Sequence, residues 1–200
     1  MAFSLSQIDL DLEIKITLVG NPSVGKTSII EQYINKRFDF NVSSTIGESH
    51  FSKYIRINNE NILVTLWDTA GQERYKSLNT IFLKNSNIVI FVYDITSINS
   101  FNNLKEWIKE TKEIIENDYV CGIVGNKNDL YKQQEISDKE GMEFAQSIGM
   151  NFKLVSAKED KEGFIEFVQD LIKEAIPNLE KKRDSILIEK KKNKKHKCKC

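Results

Sequence analysis

The stretch KITLVGNPSVGKTSIIEQYI, residues 15–34, decides how this chain folds. Its opening belongs to a short apolar run rich in β-branched residues, IKITLV over 14–19, which reads as a strand. Its close, SIIEQYI, reads as the start of a helix. Between them GNPSVGKTS, residues 20–28, fits G-x-x-x-x-G-K-[ST]. In such a loop glycines let backbone N–H groups wrap phosphate oxygens, the lysine brings a point charge to the β and γ phosphates, and the following hydroxyl offers an oxygen to Mg²⁺. Ser23, Val24, Gly25, Lys26, Thr27 and Ser28 are therefore the candidate phosphate-binding residues, with Thr27 also a metal ligand. The bland alternative is a structural glycine turn, and the position between strand and helix favours the nucleotide site. Pro22 carries no N–H. With the donors running from Ser23 to Thr27, it is expected to be tolerated for binding while adding bulk near the γ phosphate.

Working outward, similar apolar runs recur as FSKYIRI (51–57), ILVTLW (62–67), IVIFVYD (88–94), VCGIVGN (120–126) and FKLVSA (152–157). Most are near-continuous rather than alternating, the pattern of strands covered on both faces. Helical periodicity lies between them. It is best in 164–175, where Phe164, Phe167, Val168, Leu171, Ile172 and Ala175 share a face before Pro177, which is expected to stop the helix. The expected fold is α/β of the P-loop NTPase type, a mostly parallel six-stranded sheet with helices on both faces and ligands at the carboxyl ends of the strands.

The 200 residues allow one substantial core and a tail. The expected organisation is a short N-terminal extension over 1–11, a nucleotide-binding domain over 12–178 and a flexible basic tail over 179–200. Formal charge sums to zero, yet Glu180 to Cys200 holds about +7, which leaves the body at about −7. An acidic body argues against nucleic acid as a partner, because phosphate affinity needs clustered cations on the folded domain. No apolar run approaches the ~18 residues of a membrane span, and MAFSLSQIDLDLE does not resemble a signal peptide. Ala2 excludes myristoylation. Cys121 reads as a small core residue. Cys198 and Cys200 are spaced too closely for a framework disulfide, and with His196 they would supply at most three ligands to a metal.

The fifth run leads into GNKNDL and the sixth into VSAK. An N-K-x-D placed there can read guanine. The Asp129 carboxylate can accept from the ring N1–H and exocyclic amine, Asn126 can bond the purine edge, and the stem of Lys127 can lie on the ring. With these motifs in this order the chain resembles a small GTPase of the Ras superfamily, and within it the Rab branch, over roughly 12–178 plus the tail. The resemblance implies further residues. In WDTAGQERY (67–75), Asp68 would hold Mg²⁺ through water, Gly71 would donate to the γ phosphate, and Gln72 would orient the attacking water as the catalytic residue. In STIG (44–47), Thr45 would be the second protein ligand of the metal. Phe38 would face the guanine, and Ser156, Ala157 and Lys158 would form the loop whose Ala N–H meets its O6. Trp67 reads as part core, part switch-adjacent surface. The Rab branch is suggested by YDITSINSFNNLKEWIKE (93–110). Two departures stand out, His50 where the branch usually has Phe, and IFLKNS (81–86) in place of a Tyr-Tyr-Arg-Gly segment. His50 reads as a partly exposed surface residue.

As a whole, the resemblance implies a monomeric GTP/GDP switch that hydrolyses GTP and regulates vesicle and membrane traffic through GTP-dependent effectors. No Arg lies between Asp39 and Thr45, so intrinsic turnover is expected to be slow, with an activating protein adding roughly 10³ to 10⁵ in rate. The other implied partners are a guanine-nucleotide exchange factor, a GDP-dissociation inhibitor, and an escort protein with a geranylgeranyltransferase. The alternatives are a GTP-binding module with little hydrolysis and a phosphotransferase acting on a small metabolite. KCKC cannot be a C-a-a-X box, since Lys197 stands where the cysteine should be. It resembles the Rab signal for two geranylgeranyl groups, on Cys198 and Cys200, with the lysines adding attraction to an anionic leaflet. The expected location is the cytoplasmic face of an endomembrane, endosomal by the flavour of ERYKSL, with a soluble cytosolic pool.

Overall fold

The computed structural model describes residues 12–35, 49–68, 76–116, 118–160 and 162–197. Its strands are β1 (Leu12–Val19), β2 (Ser49–Ile57), β3 (Glu60–Asp68), β4 (Ile88–Asp94), β5 (Val120–Asn126) and β6 (Asn151–Leu154). Its helices are α1 (Lys26–Asn35), α2 (Lys76–Leu83), α3 (Ile98–Asn102), α4 (Leu104–Ile114), α5 (Asp138–Ser147) and α6 (Gly163–Lys197), with a 3-10 turn at Asn128–Gln133. The strands form one sheet in the order β2-β3-β1-β4-β5-β6. Every neighbouring pair is parallel except β2 and β3. That exception follows from a two-residue turn, Asn58 and Asn59, whose φ angles of 51° and 70° suit a hairpin with both central residues left-handed.

All seven residues of β4 are buried, as a continuous apolar run requires when helices cover both faces. Alternate side chains divide the core in two. Ile14, Ile16 and Leu18 of β1 with Ile62, Val64 and Leu66 of β3 pack under α1 and α6. Val19, Phe91, Tyr93 and Ile123 pack against Leu104 and Ile108 of α4 and Ala145 of α5. The chain leaves β1 toward β2 and β3 on one side of the sheet and returns to β4 on the other. This reversal opens a crevice at the carboxyl end of β1, where the glycine-rich loop stands.

The expected stop at Pro177 is corrected. Helix α6 continues through it to Lys197. Proline removes one i→i−4 hydrogen bond, here to the carbonyl of Lys173, and both residues lie on the exposed side where water can replace the bond. Ala175 and Ile176 are buried on the opposite side and Leu179 packs partly against the same core, so the apolar stripe carries the helix past the defect. No helix among the described residues is long and apolar enough to cross a membrane.

Candidate functional site

The phosphate loop is shaped by its neighbours as much as by its glycines. A Cβ on Gly20 would run into the Val92 carbonyl of β4. Gly25 has φ 94°, and a Cβ there would meet the Asn126 amide nitrogen. Ser23 is also left-handed, with φ 63°, which turns successive N–H groups toward one centre. Pro22 and Ser23 are exposed, Val24 is buried, and Ser28 is partly buried on the first turn of α1. The Lys26 side chain is buried, and its ammonium donates to the carbonyls of Gly20 at 2.7 Å and Asn21 at 2.9 Å. It is thereby laid back across the loop.

Thr27 and Asp68 come together at the floor of this loop. The period-2 alternation that buries Ile62, Val64 and Leu66 also buries Asp68 at the end of β3, on the face covered by α1. The Thr27 hydroxyl donates to Asp68 Oδ2 at 2.6 Å. A hydroxyl and a carboxylate side by side beneath a phosphate cradle are hard oxygen donors, the kind Mg²⁺ takes alongside phosphate and water, so the residues present fit the ion.

The far wall is built by β5, β6 and the loops that follow them. Asn126 is 1% exposed; its amide donates to the Val24 carbonyl at 2.8 Å and its Oδ1 accepts from the Ala157 N–H at 3.1 Å. One side chain thus joins the phosphate loop, the end of β5 and the loop after β6. Asp129 Oδ1 accepts from the Ser156 hydroxyl at 2.7 Å, and Lys158 lies 3.9 Å from Oδ2. Ser156 in turn accepts from the Glu159 N–H at 3.0 Å. Lys127 is left-handed, with φ 67°, and its ammonium pairs with Asp94 at 2.5 Å. A cavity of about 320 Å³ opens beside Asp129 and Ser156. The structure therefore brings Ser23 to Ser28, Asp68, Asn126, Lys127, Asp129, Ser156, Ala157 and Lys158 to the carboxyl ends of β1, β3, β5 and β6.

Phe38, Thr45, Gly71, Gln72, Cys198 and Cys200 lie outside the described residues. His50 is exposed and stacks on Trp67, with centroids 5.3 Å apart and rings 25° from parallel. Trp67 is partly buried, tilts against Phe82 at 6.2 Å, and carries the Lys15 ammonium 4.4 Å from its ring centre, so it is part core and part surface. Cys121 packs partly buried against the second half of the core, and burial pushes its thiol up to about 11. Three residues of the site were missed from sequence. They are Asp94, the partner of Lys127, and Asn21 with Trp107, whose indole N–H donates to Asn21 Oδ1 at 2.8 Å. A carboxylate closing the apolar run IVIFVYD was a signal that a buried partner must exist, but nothing in the chain said which.

A doubly wound sheet with this loop at its reversal, a hydroxyl–carboxylate pair below it and an N-K-x-D loop locked to it define a guanine-nucleotide-binding P-loop protein. Residues 15–177 match the Ras family. The Ras-related protein Rab-21 of Geodia cydonium is 40% identical over 159 residues, covering 80% of this chain and 69% of that protein. Human Rab-21 is 38% identical over 162 residues, 81% and 72% of the two chains, and rat Rab-31 is 42% identical over 146 residues, 73% and 75%. The chain belongs to the Ras family and is a small GTPase of its Rab branch, a switch that hydrolyses GTP and acts in membrane traffic. Guanine-nucleotide binding, regulators and effectors as a class, and association with endomembranes go with that membership.

Proposed function

We propose that this chain's GTP cycle runs on the residues gathered at the carboxyl end of the sheet, with the Thr27–Asp68 contact of 2.6 Å under the Lys26 loop as the observation that carries the reading. The amides of Ser23 to Thr27 and the Lys26 ammonium receive the phosphates. Thr27 and Thr45, with Asp68 through water, would hold Mg²⁺, which would supply positive charge to offset that of the phosphates. Asp129 reads the N1–H and exocyclic amine of guanine, the Lys127 stem covers one ring face, and Ser156, Ala157 and Lys158 close the edge. Gln72 orients water for attack on the γ phosphate, Gly71 donates to that phosphate, and Phe38 faces the base. The developing charge meets no arginine from residues 39–45, so hydrolysis waits for an activating protein.

The cycle's other partners are an exchange factor, effectors that bind the GTP form, a GDP-dissociation inhibitor, and an escort protein with its geranylgeranyltransferase. Two lipids on Cys198 and Cys200 with the lysine-rich segment before them hold the protein on the cytoplasmic face of an endosomal membrane.

Single-turnover phosphate release from GTP-loaded protein tests the chemistry. Slow release that Gln72→Leu abolishes, with nucleotide binding intact, is the expected result. Unchanged release removes Gln72 from its role. Membrane fractionation tests the anchor, which fails if Cys198→Ser with Cys200→Ser leaves association intact.

A further inference from the structure

We propose that Asp94 is the positioning residue of the base pocket, holding Lys127 so that the lysine stem is already in place when guanine docks. The inference rests on the guanine-site reading and adds a residue that lies outside its motifs.

Asp94 ends β4 and is the direct neighbour of Asn126 in the parallel register with β5. Its backbone is fixed on both sides. The Asp94 N–H donates to the Ser100 hydroxyl at 3.0 Å, and the Ile95 N–H donates to the Asn126 carbonyl at 3.1 Å. Its side chain is fixed as well. Oδ1 accepts from the Thr96 N–H at 2.9 Å and the Thr96 hydroxyl at 2.7 Å, which leaves Oδ2 aimed at Lys127 Nζ, 2.5 Å away. The Asp94 side chain is only 9% exposed, so its charge needs a cation, whereas the Lys127 side chain is 32% exposed and keeps its stem accessible to a ligand.

Lys127 is constrained twice, by its own backbone and by this ion pair. Its backbone is left-handed, with φ 67° and ψ 34°, which is unfavourable for an L-residue and turns the chain out of β5. Its four-carbon stem would sample many rotamers if the ammonium were free. Tethering the ammonium removes those rotamers before ligand arrives, so less conformational freedom is lost on binding. Among the described residues the carboxylate has no other role in the site.

The test is the release of mant-GDP, a fluorescent GDP, from the full chain into excess GDP. Asp94→Asn is expected to speed release about tenfold, the equivalent of losing one charge-assisted hydrogen bond. Lys127→Met should release at least as fast. The decisive comparison is the double variant, which should release no faster than Lys127→Met alone, because Asp94 acts only through that lysine. If Asp94→Asn does not fold, Thr96→Val, which loosens Oδ1 from the partly buried side, should speed release about threefold in the wild type and not at all in the Lys127→Met background. Unchanged release by Asp94→Asn, or factors that multiply in the double variant, would overturn the proposal and leave the guanine site standing. Failure of the wild type to retain mant-GDP would instead sink the site itself, and the proposal with it.

Discussion

Replacing Asn126 with Ala should disconnect the two halves of the nucleotide pocket. The side chain is 1% exposed and makes two hydrogen bonds, to the Val24 carbonyl at 2.8 Å and from the Ala157 N–H at 3.1 Å. Truncation leaves both backbone groups in a buried place without a partner. Each orphaned group costs about 1–3 kcal/mol, so the sum is about 2–6 kcal/mol. For a chain of this size 1 kcal/mol is about 2–4 °C in Tm, which makes the expected loss at least about 4 °C. The loss should be larger for the GDP-bound protein than for the free one, because the phosphate loop and the loop after β6 must be held at their bound spacing. Differential scanning fluorimetry with and without GDP measures both, and mant-GDP release should quicken by at least about tenfold. Asn126→Asp sharpens the comparison, since it keeps an acceptor for Ala157 but sets a carboxylate oxygen against the Val24 carbonyl. It should be no better than Ala. A Tm within about 2 °C of wild type together with unaltered release, in both variants, would refute the clasp.

Trp107→Phe keeps the ring of α4 but deletes its N–H to Asn21. It should speed mant-GDP release about fivefold by loosening the loop that holds Lys26, at a stability cost of about 1 kcal/mol; a release rate equal to wild type would show that Asn21 needs no holding. Pro177→Ala should raise Tm by several degrees, because it restores the hydrogen bond to Lys173 on an exposed face of α6, and a lowered Tm would contradict a continuous helix there. Alkaline stability is governed by burial. The Cys121 thiol is held up at about 11 against an ordinary 9.0, and Tyr33 at about 12 against 10.0. Raised values mean that the fold keeps protons the unfolded chain has lost, so stability is full below about pH 9 and falls as pH rises through about 11 and 12. Urea titrations from about pH 8 to 11 should show that decline, and Cys121 should resist thiol reagents at about pH 8; rapid labelling of folded protein would contradict its burial.

Much of the fold was legible because burial on both faces leaves a compositional trace. IVIFVYD and VCGIVGN coincide with β4 and β5, which helices cover on each side. The β2–β3 hairpin was less visible, since INNENI carries its signal in the left-handed tolerance of Asn rather than in any apolar pattern. Pro177 misled for the opposite reason. A local rule about one missing N–H was outweighed by the buried contacts of Ala175 and Ile176 just before it and the partly buried Leu179 just after it.

The site divides along the same line. Lys26, Thr27, Asn126 and Asp129 stand in contiguous motifs, whose spacing is set by the ligand and can be read one loop at a time. By itself the sequence determined the G-x-x-x-x-G-K-T loop and the N-K-x-D loop, their placement at strand ends and the charge contrast between body and tail. Only the tertiary structure decided what joins those loops. Asn126 reaches Val24, Trp107 reaches Asn21, and Asp94 reaches Lys127, because the parallel register sets β4 and β5 side by side and packs α4 beside β4. A loop can carry its own chemistry in consecutive residues. The rigidity that makes the chemistry effective comes from contacts between residues far apart in the chain, and those exist only once the sheet has brought the strand ends together.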